Sequence, residues 1–182
     1  MKVLVVYYSR TGYTRRVAHS LARRLAADLE EIGSDPRTGA RGYLRCALQS
    51  VLKLQTAIHT PRHDPAAYGL VLVGGPVWFW GLSSPVRTYL TLRRRRLPQV
   101  AFFCTMGGSG AQRVFDMMTA LAGKRPLATL ALTDRDIDAH DRRWLDAFIH
   151  ALKLPHRPAA RTAQRTVRRR RAGTGAAAAA AS

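Results

Sequence analysis

Acidic residues are scarce in this chain of 182 residues: 11 Asp and Glu stand against 30 Lys and Arg, for a formal charge of +19. Such an imbalance favours anionic partners and surfaces, and it says nothing about fold. Cysteine is scarcer still. Cys46 and Cys104 lie far apart and in no CxxC pair, so neither a disulfide framework nor a cysteine metal site is expected, and both are read as reduced, partly buried thiols. No apolar run approaches the roughly 20 residues of a membrane helix, and the apolar start of MKVLVVYYSRTG meets polar residues too soon for a secretory leader. A soluble, cytoplasmic protein with no membrane span is therefore expected. GxxxxGK[ST] and GxGxxG spacings are both missing, which excludes a Walker-type nucleotidase and a Rossmann dinucleotide site. The length suits one domain and excludes a dehydrogenase with a separate nicotinamide domain.

What is present is globular in composition, 47% hydrophobic and 23% charged. Apolar runs alternate with amphipathic segments. Strands are predicted at residues 2–8, 29–32, 69–74, 99–105 and 126–132, and helices at 14–27, 43–57, 85–92, 111–121 and 138–152, from continuous β-branched runs in the first set and helical spacing in the second. Five strands alternating with five helices predict an α/β fold: a doubly wound five-stranded parallel sheet with helices on both faces. That periodicity stops at Pro155. Residues 1–154 are read as the domain and 155–182 as a disordered basic Arg/Ala-rich tail, in which HRPAARTAQRTVRRRRAGTG precedes six alanines and a serine. The tail holds seven of the basic residues and no acid, so the part before it still carries a formal +12. Arg168–Arg171 offers a contact to anionic partners, but no aromatic residue is interleaved for base stacking and no specific nucleic-acid motif accompanies it.

In an open α/β sheet, ligands bind outside the carboxyl ends of the strands. Three loops there carry informative residues. Ser9-Arg10-Thr11-Gly12-Tyr13-Thr14 leaves the first strand and opens a helix, so hydroxyls, a glycine turn and unpaired helix-start amides can surround a phosphate. Gly74-Gly75-Pro76-Val77-Trp78-Phe79-Trp80-Gly81 leaves the third strand with three large aromatics, costly in water unless a planar ligand or a protein surface covers them; Phe79 is expected to close the end of the core. Thr105-Met106-Gly107-Gly108-Ser109-Gly110 leaves the fourth strand with almost no bulk, which permits close backbone approach by a ligand. Elsewhere, His19, His59, His63, His140, His150 and His156 show no paired ligand spacing. Asp134, Asp136, Asp138 and Asp141 fit a loop and helix start better than a metal site, and Arg93–Arg96 reads as a solvated basic corner, with a docking patch for an anionic partner as the alternative.

These motifs resemble the flavodoxin-like FMN-binding family over most of residues 2–150. SRTGYT after a strand is similar to the family's phosphate loop, [ST]-x-T-G-x-T; GGPVWFWG to the aromatic loop beside the isoalloxazine ring; and TMGGSG to the loop at the flavin edge. The resemblance implies noncovalent FMN, with Ser9, Thr11 and Thr14 and the amides of Arg10, Gly12 and Tyr13 on the phosphate. It implies stacking by Trp78, with Trp80 as a second candidate in the Pro76–Gly81 loop, and Thr105, Met106, Gly107, Gly108 and Gly110 along the pyrimidine side. Gly81 is the expected position for a peptide reorienting with redox state. Two features depart from the pattern: Phe79 and Trp80 both intervene before Gly81, and the basic surface is unlike the acidic one of electron-carrier flavodoxins. Electron transfer to a redox partner protein or small-molecule acceptor is expected, with an NAD(P)H-dependent quinone reductase and a flavin-binding regulatory protein as the alternatives.

Overall fold

The computed structural model describes residues 1–33, 58–139 and 143–154. The predicted helix at 43–57, Cys46, His140, Asp141 and the tail from 155 onward lie outside them. Strand β1 (Val3–Tyr7) is buried along its whole length, because a run of β-branched and aromatic residues suits a strand covered on both faces. It pairs in parallel with β2 (Asp28–Glu31) on one side and β3 (Leu70–Trp78) on the other; β5 (Gln99–Met106) continues beyond β3, and β6 (Thr129–Thr133) closes the far edge. The parallel order is thus β2-β1-β3-β5-β6, while β4 (Gly81–Leu82) folds back antiparallel on β3.

The period-2 alternation of the strands divides the core between the two faces of the sheet. Val3, Val5, Tyr7, Leu70, Leu72, Ala101 and Phe103 form one cluster with Val17, Ala18 and Leu21 of α1 (Tyr13–Leu25). Leu4, Val6, Val71, Val73, Val100, Phe102 and Cys104 form the other with Val86, Tyr89 and Leu90 of α2 (Ser84–Arg93) and Val114, Phe115 and Met118 of α3 (Ala111–Ala122). Crossover helices on both faces of a parallel sheet direct their N-termini to the carboxyl edge of the strands, which is where the three motif loops emerge.

Two elements differ from the sequence reading. Strand β3 does not stop at Gly74: Gly75 and Pro76 stay in register with Cys104 and Thr105, and Val77 then pairs with Leu82. The last helical segment is divided, with α4 (Asp134–Asp138) starting four residues earlier than expected and α5 (Arg143–Ala151) following it. A capping box is the cause. Thr133 Oγ1 accepts from the Asp136 amide while the Asp136 carboxylate accepts from the Thr133 amide, so the helix begins directly after β6.

Candidate functional site

The first loop is built by one serine and one glycine. Gly12 takes φ 96°, a left-handed turn that a side chain would strain, and this turns the chain from β1 into α1. Ser9 Oγ accepts from the amides of Gly12 and Arg15, each at 3.2 Å, which leaves its own hydroxyl proton to donate outward. Tyr13 and Thr14 occupy the first two positions of α1, whose N-cap, Gly12, has no side chain to cap it and whose first turn holds no acid. Their amides meet no carbonyl inside the helix and lie at its positive end. The Tyr13 hydroxyl is drawn away to Asp138 at 3.1 Å, and the same carboxylate takes the Arg16 guanidinium at 2.7 Å, so Tyr13 contributes backbone here and not its ring. Arg10 and Thr11 are exposed at the rim.

In place of the expected second loop stands a tight hairpin. Trp78 and Gly81 face each other across it, and Phe79 and Trp80 form its two-residue turn with φ of 45° and 55°. Left-handed backbone at both central positions is the arrangement that best matches the twist of a two-residue hairpin, and it normally calls for Asn or Gly. Two bulky aromatics hold it here. Phe79 therefore does not close the core: it is 46% exposed and Trp80 61%. Gly81 is buried and paired with Trp78, and the left-handed residues are Phe79 and Trp80.

Contacts from the third loop fix this hairpin. The Trp80 indole N–H donates to Ser109 Oγ at 3.1 Å. Gly110, at φ 104°, sits so close that a Cβ would lie 3.2 Å from both the Trp80 Cα and the Val77 side chain. Trp78 is half-buried, with its ring edge-to-face against Tyr8 at a centroid distance of 5.6 Å. Between hairpin and loop lies a cleft of about 340 Å³ lined by Val77, Trp78, Phe79, Trp80, Met106, Gly107, Gly108 and Ser109, a size ordinary for a cofactor pocket. Gly107 and Gly108 present open space on that wall. Thr105 takes no part in the lining; its hydroxyl meets that of Thr14 at 2.8 Å beneath the first loop. Ser109, Tyr8 and the Thr14–Thr105 contact were not singled out in the sequence, because each acquires its role from a partner distant along the chain.

A larger hollow of about 730 Å³ lies between α1 and the α4–α5 segment, and three of its four arginines are ion-paired: Arg15 with Glu31, Arg16 with Asp138, and Arg24 with Asp146. No group of three or more His, Cys, Asp or Glu among the described residues is arranged to hold a metal. Burial pushes the Cys104 thiol up to about 12, so it stays protonated and inert at neutral pH. Among the described residues no helix is long and apolar enough to cross a membrane.

A family model described as Flavodoxin matches residues 2–130. The chain belongs to the flavodoxin family. Among solved structures, this flavodoxin-family chain is similar to a flavoprotein from Lactobacillus acidophilus in complex with FMN, at 24% identity and a TM-score of 0.64, over 79% of this chain and 98% of that one. It is also similar to the two-electron reduced flavodoxin of Megasphaera elsdenii, at 18% identity and a TM-score of 0.51, and to oxidised flavodoxin 2 of Bacillus cereus, at 15% and 0.51. Both comparisons cover 84% of this chain, with 99% of the Megasphaera elsdenii chain and 98% of the Bacillus cereus chain. At these identities the likeness establishes the flavodoxin-like fold. Among curated proteins none matches the sequence.

Proposed function

We propose that this protein binds FMN noncovalently at the carboxyl edge of its sheet and transfers electrons through it. The observation that carries the reading is the convergence of an acid-free, hydroxyl-rich helix start with an aromatic, glycine-walled cleft, joined through Thr14 and Thr105. The donor set fits the group. Ser9, Thr11 and Thr14 with the amides of Arg10, Tyr13 and Thr14 would hold a phosphate, the Gly12 amide being already given to Ser9 Oγ, and the cleft between Trp78–Trp80 and Met106–Ser109 would take a flat ring. Bound FMN supplies one- and two-electron redox chemistry. The chain's own contribution is to orient the group and keep water from its aromatic wall; Tyr8 steadies Trp78 edge-on, and Ser109 fastens Trp80.

Both tryptophans border the same cleft, which supports single-electron transfer at an exposed edge over hydride transfer, since hydride needs an open ring face at near-contact distance. The surrounding charge of the chain selects an anionic partner, and the Arg168–Arg171 run extends that preference. The protein should purify yellow and release FMN on denaturation; a colourless protein that takes up no added FMN overturns the reading. Anaerobic stepwise reduction should pass through a one-electron form with its own visible spectrum. Rapid stoichiometric bleaching by NADPH or NADH without an added reductase would replace the carrier with an NAD(P)H-dependent reductase.

A further inference from the structure

We propose that Thr105 is a positioning residue for FMN phosphate: it donates to Thr14 Oγ1 and thereby turns the Thr14 hydroxyl proton toward the bound anion. The proposal rests on the FMN reading and deepens it. Helical Thr and Ser usually return their hydroxyl to the carbonyl four residues back, and two residues here do so: Ser20 donates to the Arg16 carbonyl and Thr91 to that of Arg87, each at 2.9 Å. Thr14 stands at the second position of α1, where the residue four back precedes the helix. Its hydroxyl turns inward to Thr105 at 2.8 Å, across 91 residues of sequence. Both side chains are nearly sealed, at 2% and 3% exposure, so water does not compete for the pair.

Thr105 reaches this place by strand alternation. Two residues on from Phe103, which packs on the α1 side of the sheet, it projects to the same face, between Pro76 and Leu132 in register. Each hydroxyl owns one proton. If Thr14 donated to Thr105, it would present lone pairs to an incoming phosphate, a repulsive arrangement. With the direction reversed, Thr105 donates to Thr14 and Thr14 donates to the phosphate, and each bond polarises the next. An anion at the first loop selects the second order, and the strand that carries the flavin-edge loop thereby senses the phosphate.

The test compares FMN with riboflavin, which lacks the phosphate, by titrating each into the apoprotein and following flavin fluorescence. Thr105→Val keeps the shape and removes the proton. It should weaken FMN about tenfold, the scale of a hydrogen bond to a charged group, and leave riboflavin unchanged, and Thr105→Ser should restore FMN to within about twofold. The ³¹P resonance of bound FMN should shift in the valine variant and not in the serine variant. Equal losses for both flavins, no loss for FMN, or a serine variant as weak as valine would each overturn the proposal; Thr105→Ala replaces valine if the latter does not fold. Should the unaltered protein bind neither flavin, the functional reading falls by itself. The relay then stands on inorganic phosphate, whose ³¹P line should be broadened by the unaltered protein and by Thr105→Ser but not by Thr105→Val; equal broadening in all three removes it.

Discussion

The phosphate-type loop and the aromatic hairpin stand at the same edge of one sheet and are held in opposite ways. Ser9–Thr14 is shaped from within: its left-handed residue is a glycine, and Ser9 caps amides three and six residues on. The hairpin is shaped from outside. Its left-handed residues are Phe79 and Trp80, which disfavour that backbone, and it is kept in place by Ser109 and Gly110 of the third loop. Backbone strain persists only where the surroundings over-determine it, so the hairpin's geometry depends on a loop some 30 residues away while the phosphate loop's does not.

The sharpest way to break that contrast is Gly110→Val. A side chain there meets the Trp80 backbone and must adopt φ 104°, so stability should fall by about 3 kcal/mol in urea unfolding, and flavin uptake should fall with it. Stability like that of the unaltered protein would show that the hairpin holds itself. Next in size, Thr14→Ala should weaken FMN by about 1–3 kcal/mol, the loss of a hydrogen bond to a charged group. Calorimetry finding unchanged affinity in both Thr11→Ala and Thr14→Ala would reduce the first loop to a helix cap.

Replacing Phe79-Trp80 by Asn-Gly relieves two unfavourable left-handed residues and should raise stability by about 1–2 kcal/mol, while the loss of both aromatic side chains from the cleft lowers flavin affinity. A drop in stability would mean that the aromatic contacts outweigh the strain. Gly12→Ala should show the smallest effect, about 1 kcal/mol in the same unfolding experiment, because nothing lies within 4 Å of the added Cβ and only the backbone angle resists. A much larger cost would reveal a closer packing around the first loop than its open surroundings indicate.

The parts of the molecule governed by local rules were readable without coordinates. Residues 3–7 are apolar at every position and could only be a strand covered on both faces; Val17, Ala18 and Leu21 return at helical spacing, and Gly12 punctuates the turn between them. The alternation of such runs specifies a doubly wound sheet, because a parallel strand needs a crossover helix to return. Residues Gly74–Gly81 misled for an equally local reason. Gly, Pro and three aromatics read as a loop, yet pairing with β5 and β4 extends the strand through Trp78.

What the chain's own order of residues determined is thus the sheet, its helices, the hydroxyl-rich first loop and the carboxyl edge on which a ligand belongs. Tertiary structure alone decided that Phe79 and Trp80 would turn the hairpin, that Ser109 would fasten an indole, and that Thr14 would meet Thr105. The division follows from the range of the forces involved. Periodicity, glycine freedom and capping act within a few residues and leave a mark in their spacing, whereas strain and buried hydroxyl pairs exist only once distant strands have brought their partners within about 3 Å.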